Sequence, residues 1–197
     1  MSQPTASTYR ITLADERKDA LQRVSAVLES LGHEVAGLAL SVAEAMEEVA
    51  GTDPELAMVV VHDDDEHALD LVQELAESLD GPVLVLLDPA DAAFLAKAAD
   101  RGLSAFASSF EAEELQGAIE VAVRLHEQRQ TLTTQVETLT TALERRAVIE
   151  RAKGVLMERY GVGERAAFVR LQDDAAERGR RVSDFAAELA GGPRPAR

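Results

Sequence analysis

The chain has 197 residues, enough for one or two domains, and its composition of 46% hydrophobic and 28% charged residues is typical of a globular protein. It contains no cysteine, which excludes disulfides, thiolate metal sites and cysteine nucleophiles, and its four histidines are too dispersed to indicate a metal site. The sequence shows neither a secretory signal nor an apolar run near the roughly 20 residues of a membrane helix. We therefore expect a cytoplasmic protein without cofactors or membrane contacts.

The net charge of −16 is distributed unevenly along the chain. Residues 1–143 contain eight Lys and Arg against 27 Asp and Glu, a net −19, whereas residues 144–197 contain 12 against nine, a net +3. This asymmetry is typical of a basic binding segment attached to an acidic domain. Because salt screens charges over about 8–10 Å, the acidic part does not prevent the basic segment from binding a polyanion.

Five repeats of a strand followed by a helix are predicted over residues 9–125. Alternating or continuous apolar residues predict strands at 9–14, 33–40, 56–61, 82–87 and 102–107. Helical spacing of apolar residues predicts helices at 20–31, 41–50, 67–79, 91–101 and 111–125, the second opened by a capping box of Ser41 and Glu44. This order predicts an α/β fold with a doubly wound, five-stranded parallel sheet, whose ligands bind beyond the carboxyl ends of the strands.

A heptad pattern follows the last of these repeats. Its apolar positions are Leu125, Leu132, Val136, Leu139 and Leu143, and Arg129 interrupts it early. The pattern spans only about three heptads, so it is compatible with a connecting helix packed on its own chain or with the seam of a parallel coiled coil. We favour the coiled coil and therefore expect a homodimer.

Three helical segments are predicted after the heptads. The first continues to about residue 160, the second covers 164–177 and the third 183–189, with Gly161, Gly163 and Gly179 at the junctions. Residues 193–197 are predicted to be a disordered tail.

Each part of the chain resembles a known family. Residues 1–123 resemble the response-regulator receiver domain in the order of their elements and in a few residues. The C-terminal part resembles the ANTAR domain of transcription antitermination regulators, through an Ala-Lys-Gly-x-Leu-Met string and an Ala-Phe-x-x-Leu string; the matching residues lie in 146–159, 167–171, Ala175 and 182–186. We therefore divide the chain into a receiver-like domain (1–123), a coiled-coil linker helix (124–145), a three-helix ANTAR domain (146–192) and a tail (193–197).

The ANTAR resemblance implies a regulator that binds paired stem-loops in leader RNA and prevents the terminator hairpin from forming. The alternative is a protein-interaction regulator that has lost RNA binding and acts through a regulatory protein partner. The sequence shows no nucleophile–base pair, glycine-rich phosphate loop or metal-ligand spacing, so we expect no enzymatic activity.

The receiver resemblance implies a phosphorylation site made of an acidic pair for Mg²⁺, an acceptor aspartate, a hydroxyl residue and a lysine. Asp15 and Glu16 match the acidic pair. The acceptor position falls on Val60, the hydroxyl position on Leu87 and the lysine position on Ser109. Three of the four functions are thus missing, and we expect a pseudo-receiver that is not switched by phosphoryl transfer.

Two further expectations concern the same domain. A shift of the register by three residues or more would place the acceptor on Asp63, Asp64 or Asp65, although the turn that usually follows the acceptor is absent. Phe106 occupies the position of the switch aromatic, and we expect it to be a buried core residue.

The ANTAR segment contains the candidate RNA-binding residues. On its first helix, Arg146, Glu150, Lys153 and Met157 fall within about 60° of one another, beside a core stripe of Ile149, Ala152 and Leu156. Lys153 and Arg146 are the candidates for phosphate contacts, and Lys153 is expected on an exposed face that contributes little to packing.

Other positions of the segment are candidates for close or base-specific contacts. Gly154 lowers helix stability, which suggests the close approach of a partner helix or RNA. Tyr160, Arg180 and Arg181 are candidates for contacts with unpaired bases. Gln172 stands where many ANTAR domains have arginine. Its neutral amide could donate a hydrogen bond to a phosphate there but would bring no positive charge to it.

Overall fold

The computed structural model describes residues 7–15, 17–62 and 65–191. Glu16, Asp63, Asp64, the side chain of Asp65 and the predicted tail 193–197 lie outside these described parts. The chain divides into two compact units, one extending to Arg129 and the other beginning at Gln130.

The N-terminal unit is a parallel five-stranded sheet flanked by helices. In chain order its elements are β1 (Arg10–Ala14), α1 (Lys18–Ser30), β2 (Glu34–Ala39), α2 (Val42–Thr52), β3 (Leu56–Val61), α3 (Asp65–Ser78), β4 (Val83–Leu87), α4 (Ala92–Asp100) and β5 (Leu103–Ala107), followed by the start of α5 (Ala112–Tyr160). The strand order is β2-β1-β3-β4-β5 and all neighbours are parallel. The predicted fold class is confirmed.

The central strand β3 shows why the sequence folds in this way. All six of its residues are buried, and successive side chains enter opposite faces of the sheet. Met58 and Val60 pack with residues of α1 and α5, whereas Val59 and Val61 pack with residues of α2, α3 and α4. An uninterrupted apolar run is the pattern required of a strand covered on both faces.

One expectation about the edge of the sheet is wrong. Phe106 on β5 is 47% exposed rather than part of the core. The edge strand alternates its side chains, and the inward positions next to Phe106 are taken by Ala105, packed against the core, and the buried Ala107.

A single helix, α5, extends through the heptads into the C-terminal unit. That unit is completed by α6 (Glu164–Glu177) and α7 (Val182–Leu189), and its core consists of small and branched residues from the three helices, including Ala152, Leu156, Leu171 and Ala186. Gly161 and Gly179 adopt positive φ angles of 64° and 59° at the two junctions, a conformation that favours glycine. Within the described residues, no helix combines the length and apolarity needed to span a membrane.

Candidate functional site

The carboxyl edge of the sheet holds one carboxylate that is already engaged. Asp15 follows β1 and is 3% exposed. Its Oδ2 lies 2.9 Å from Nε2 of His62, and its Oδ1 accepts a hydrogen bond from the backbone N–H of Arg17 at 3.0 Å. Burial raises the pKa of the Asp15 carboxyl above its ordinary value. No local sequence pattern relates His62 to Asp15, because the two residues are 47 positions apart.

The residues predicted for the acceptor and hydroxyl positions, Val60 and Leu87, are apolar and buried. Ala14 pairs with Val59, which places Val60 level with Asp15 at the end of β3. Val60 is 3% exposed and Leu87 is 6% exposed, each in one of the two core clusters. Neither position presents a polar group to the carboxyl edge.

The lysine position, Ser109, is part of a polar cluster at the start of α5. Ser109 Oγ donates to Glu114 Oε2 at 2.6 Å, and Ser108 Oγ donates to Glu114 Oε1 at 2.7 Å. The hydrogen bonds from the two serines lower the pKa of Glu114 to about 2. The sequence signal that could have revealed this cluster is a serine pair followed, within six residues, by a glutamate in the first helical turn.

The apolar heptad positions are exposed on the C-terminal unit. Leu132, Val136, Leu139 and Leu143 are each between 60% and 67% exposed, a range unlike that of any core residue. Leu125, in the N-terminal unit, is 50% exposed. A stripe of four large apolar side chains without cover in its own chain is typical of an interaction surface.

The structure places Lys153 differently from the sequence prediction. Lys153 is 7% exposed, and its Nζ donates to Glu150 at 2.8 Å and to Glu164, at the start of α6, at 2.6 Å. These hydrogen bonds raise the pKa of Lys153, and its ammonium lowers the pKa of Glu164. The expectation of an exposed face with little packing is therefore wrong, because α6 covers that side of α5.

Three other candidate residues remain accessible. Arg146 is exposed and, within the described part of the chain, makes no hydrogen bond or ion pair. Gly154 is exposed, and an added Cβ would meet no atom within 4 Å, so no neighbour in its own chain explains the glycine. Gln172 is exposed on α6.

The remaining candidates are engaged with their own unit. Arg180 forms an ion pair with Glu188 and donates to the carbonyl of Asp184 at 3.3 Å. Arg181 Nε donates to the Asp184 carboxylate at 3.1 Å. The ring of Tyr160, 44% exposed, lies 3.7 Å from the guanidinium carbon of Arg170, a cation–π contact.

The C-terminal segment and the chain as a whole are similar to known proteins. Residues 137–189 match the ANTAR domain family. Over 189 residues the chain is 29% identical to the transcriptional regulatory protein PdtaR of Mycobacterium tuberculosis. The alignment covers 94% of this chain and 92% of that protein.

Solved structures resemble the N-terminal unit. The receiver domain of a modulated diguanylate cyclase from Desulfovibrio desulfuricans G20 aligns with a TM-score of 0.55 at 18% identity, over 62% of this chain and 99% of that one. The response regulator PhyR from Brucella abortus aligns with a TM-score of 0.54 at 20% identity, over 65% and 53% of the two chains. The protein therefore has a receiver-like fold followed by an ANTAR domain and is homologous to a transcriptional regulator, which confirms both resemblances.

Proposed function

We propose that the protein is a dimeric RNA-binding regulator of transcription antitermination that binds paired stem-loops in leader RNA. The observation that carries the proposal is the match of residues 137–189 to the ANTAR domain. Most of this match lies in residues 144–197, where 12 Lys and Arg stand against nine Asp and Glu. The homology to a transcriptional regulator over nearly the whole chain supports the same function.

Accessible cations supply the phosphate contacts in this proposal. Arg146 has no partner within the described residues. Two other candidates in the same unit, Tyr160 and Gln172, are also exposed. Lys153 links α5 to α6 through Glu164, and Arg180 and Arg181 pair with carboxylates of α7, so we assign these three residues to contacts within the unit rather than to RNA. Arginines that neutralise phosphates release counterions, which makes binding depend on salt.

The exposed heptad stripe supplies the dimer. Leu132, Val136, Leu139 and Leu143 would form the seam of a parallel coiled coil, and the open space at Gly154 leaves room for a second helix or RNA farther along α5. A dimer presents two ANTAR domains to two hairpins on one transcript, and the second contact then gains from its high effective concentration.

The receiver-like unit would act without phosphoryl transfer. Val60 and Leu87 offer no nucleophile or hydroxyl, and Ser109 is bonded to Glu114 in place of a lysine. Asp15 is bonded to His62, which leaves it poorly disposed to bind Mg²⁺. The input to this unit would then be a protein partner or another non-covalent signal.

Binding to leader RNA tests the proposal. Transcripts are recovered by crosslinking in the native cell, and the affinity of the purified protein for a two-hairpin leader is measured over a range of salt. We expect the logarithm of affinity to fall linearly with the logarithm of salt concentration, and Arg146→Ala to make the slope shallower by nearly one. An RNA with one hairpin deleted is the control and should bind more weakly.

A second candidate function is protein binding with RNA affinity lost. The internal pairing of Lys153, Arg180 and Arg181, together with Gln172 in place of an arginine, reduces the charge available to RNA and favours this reading. Enrichment of a protein but of no transcript, with no salt-dependent RNA binding in solution, would support it and overturn the first proposal.

A further inference from the structure

A cavity of about 480 Å³ lies against α5 and α6 in the C-terminal unit. Its volume is within the roughly 300–1,000 Å³ typical of small-ligand sites. The wall includes Ala142, Ile149 and Phe168, and the charged residues Arg145 and Arg146 border it. An apolar wall beside cationic side chains is suited to a flat, partly apolar anion.

Phe168 lies beside the ion pairs of Lys153. The ammonium of Lys153 lies 6.0 Å from the centre of the Phe168 ring and is itself bonded to Glu150 and Glu164. The ring is only partly buried, so part of it is accessible to a ligand in the cavity. Stacking on aromatic side chains is a common way in which proteins bind unpaired bases.

The two arginines are available to a ligand. Neither Arg145 nor Arg146 makes a hydrogen bond or ion pair within the described residues, whereas Arg178, Arg180 and Arg181 of the same unit all do. Guanidinium groups bind phosphate oxygens through two parallel hydrogen bonds, so the pair is suited to the backbone on either side of an inserted base.

The carboxylate of Glu150 makes the cavity more suitable for a base than for a free phosphate. This carboxylate is part of the cavity wall and, although bonded to Lys153, retains acceptor capacity. A carboxylate repels a phosphate but accepts hydrogen bonds from the amino and imino groups of bases. A larger cavity of about 820 Å³ at the start of α6 has no aromatic residue in its wall and lacks this combination.

We infer that the cavity binds one unpaired nucleobase of an RNA loop, stacked on Phe168, with Arg145 and Arg146 on the adjacent phosphates. The inference rests on the proposed RNA-binding function and names the contact by which a loop, rather than a paired stem alone, is recognised.

The test uses the full-length protein and a two-hairpin RNA selected on it from a pool with randomised loops. Each loop nucleotide is replaced in turn by an abasic residue. We expect one abasic position to weaken binding about tenfold, and Phe168→Leu to weaken binding of the intact RNA by a similar factor. The two changes should not add, because both remove the same contact. Val169→Ala, on the exposed side of the same helix, is the matched control and should bind as the wild type does.

A second variant guards against a folding defect in Phe168→Leu. Ala142 is exposed at the cavity, so Ala142→Glu should block it while the melting temperature and the dimer stay unchanged. As with Phe168→Leu, the abasic position should then weaken RNA binding no further than the substitution alone does. The inference is overturned, with RNA binding intact, if both variants keep the affinity and the abasic sensitivity of the wild type. Failure to select any RNA above the random pool overturns the proposed function together with this inference.

Discussion

The candidate functional groups of the two units differ in whether they have partners within the chain. At the carboxyl edge of the N-terminal sheet, Asp15 is bonded to His62 and Ser109 to Glu114, so these polar groups are satisfied within the chain. In the C-terminal unit, the apolar heptad stripe lies open, and Arg145 and Arg146 have no partner within the described residues. The polar groups named in the first unit are paired within the chain, whereas the stripe and the two arginines of the second unit are accessible to a partner.

The sheet and the chemistry at its strand ends depend on different residues. The receiver-like sheet is determined by buried side chains such as those of β3, which are all apolar. The positions that would carry phosphoryl transfer lie at the strand ends, where Val60 and Leu87 fit the core without a polar partner. The fold therefore does not depend on a polar group at either of these positions.

The largest effect is expected from a charge in the heptad stripe. Leu139→Asp places carboxylates opposite each other in a coiled-coil seam, so the dimer should dissociate and binding to two-hairpin RNA should fall by more than about tenfold. Light scattering at tens of micromolar measures the dissociation. Thr138→Asp, one residue away and off the stripe, is the control and should stay dimeric. A wild-type protein that is monomeric at this concentration would contradict the assignment of the stripe.

A smaller effect is expected from Lys153→Met, which keeps an aliphatic side chain but leaves Glu150 and Glu164 without their shared cation. The melting temperature should fall, although by less than for Leu156→Ala, where a cavity in the core should cost about 2–5 kcal/mol. Glu164→Gln should cost less in the Lys153→Met background than in the wild type, because the pair is already broken. An unchanged melting temperature, with a salt slope for RNA shallower by nearly one, would instead return Lys153 to the RNA surface.

A pH-dependent effect is expected at the start of α5. The pKa of Glu114 is lowered from 4.5 to about 2, so its hydrogen bonds contribute stability that is fully present above pH 4.5 and is lost as the pH falls through about 2. Denaturant unfolding of the wild type and of Glu114→Gln should differ at pH 7, and the difference should shrink below pH 4.5. A difference that is constant from pH 7 to pH 2.5 would contradict the role of the ionised carboxylate.

No effect is expected from small-molecule phosphodonors. With Val60, Leu87 and Ser109 at the positions of the acceptor, hydroxyl and lysine, acetyl phosphate should neither label the protein nor change its oligomeric state. Mass spectrometry under conditions that preserve acyl phosphates measures the labelling. Phosphate found on Asp63 would show that the register is shifted and that the N-terminal unit retains its chemistry.

Local patterns in the sequence were sufficient to predict the elements and their order. The predicted strand at 56–61 and the predicted helix at 164–177 coincide with β3 and α6, because an apolar run and a helical repeat bounded by glycines are read from neighbouring residues. The ANTAR strings lie within two short segments, so the family of the C-terminal domain was also accessible without coordinates.

The tertiary structure decided which side chains are free. Asp15 and His62 are 47 positions apart, and Lys153 and Glu164 are 11 apart on different helices, so no local period relates them. A helical projection places Lys153 beside Arg146 on one face, but only the packing of α6 shows that the lysine is covered while the arginine is not. The exposure of Phe106 also depends on tertiary packing. The helices that pack against an edge strand determine which of its two sides is buried. Sequence periodicity thus determined the elements, whereas charge availability depended on contacts between residues that are distant along the chain.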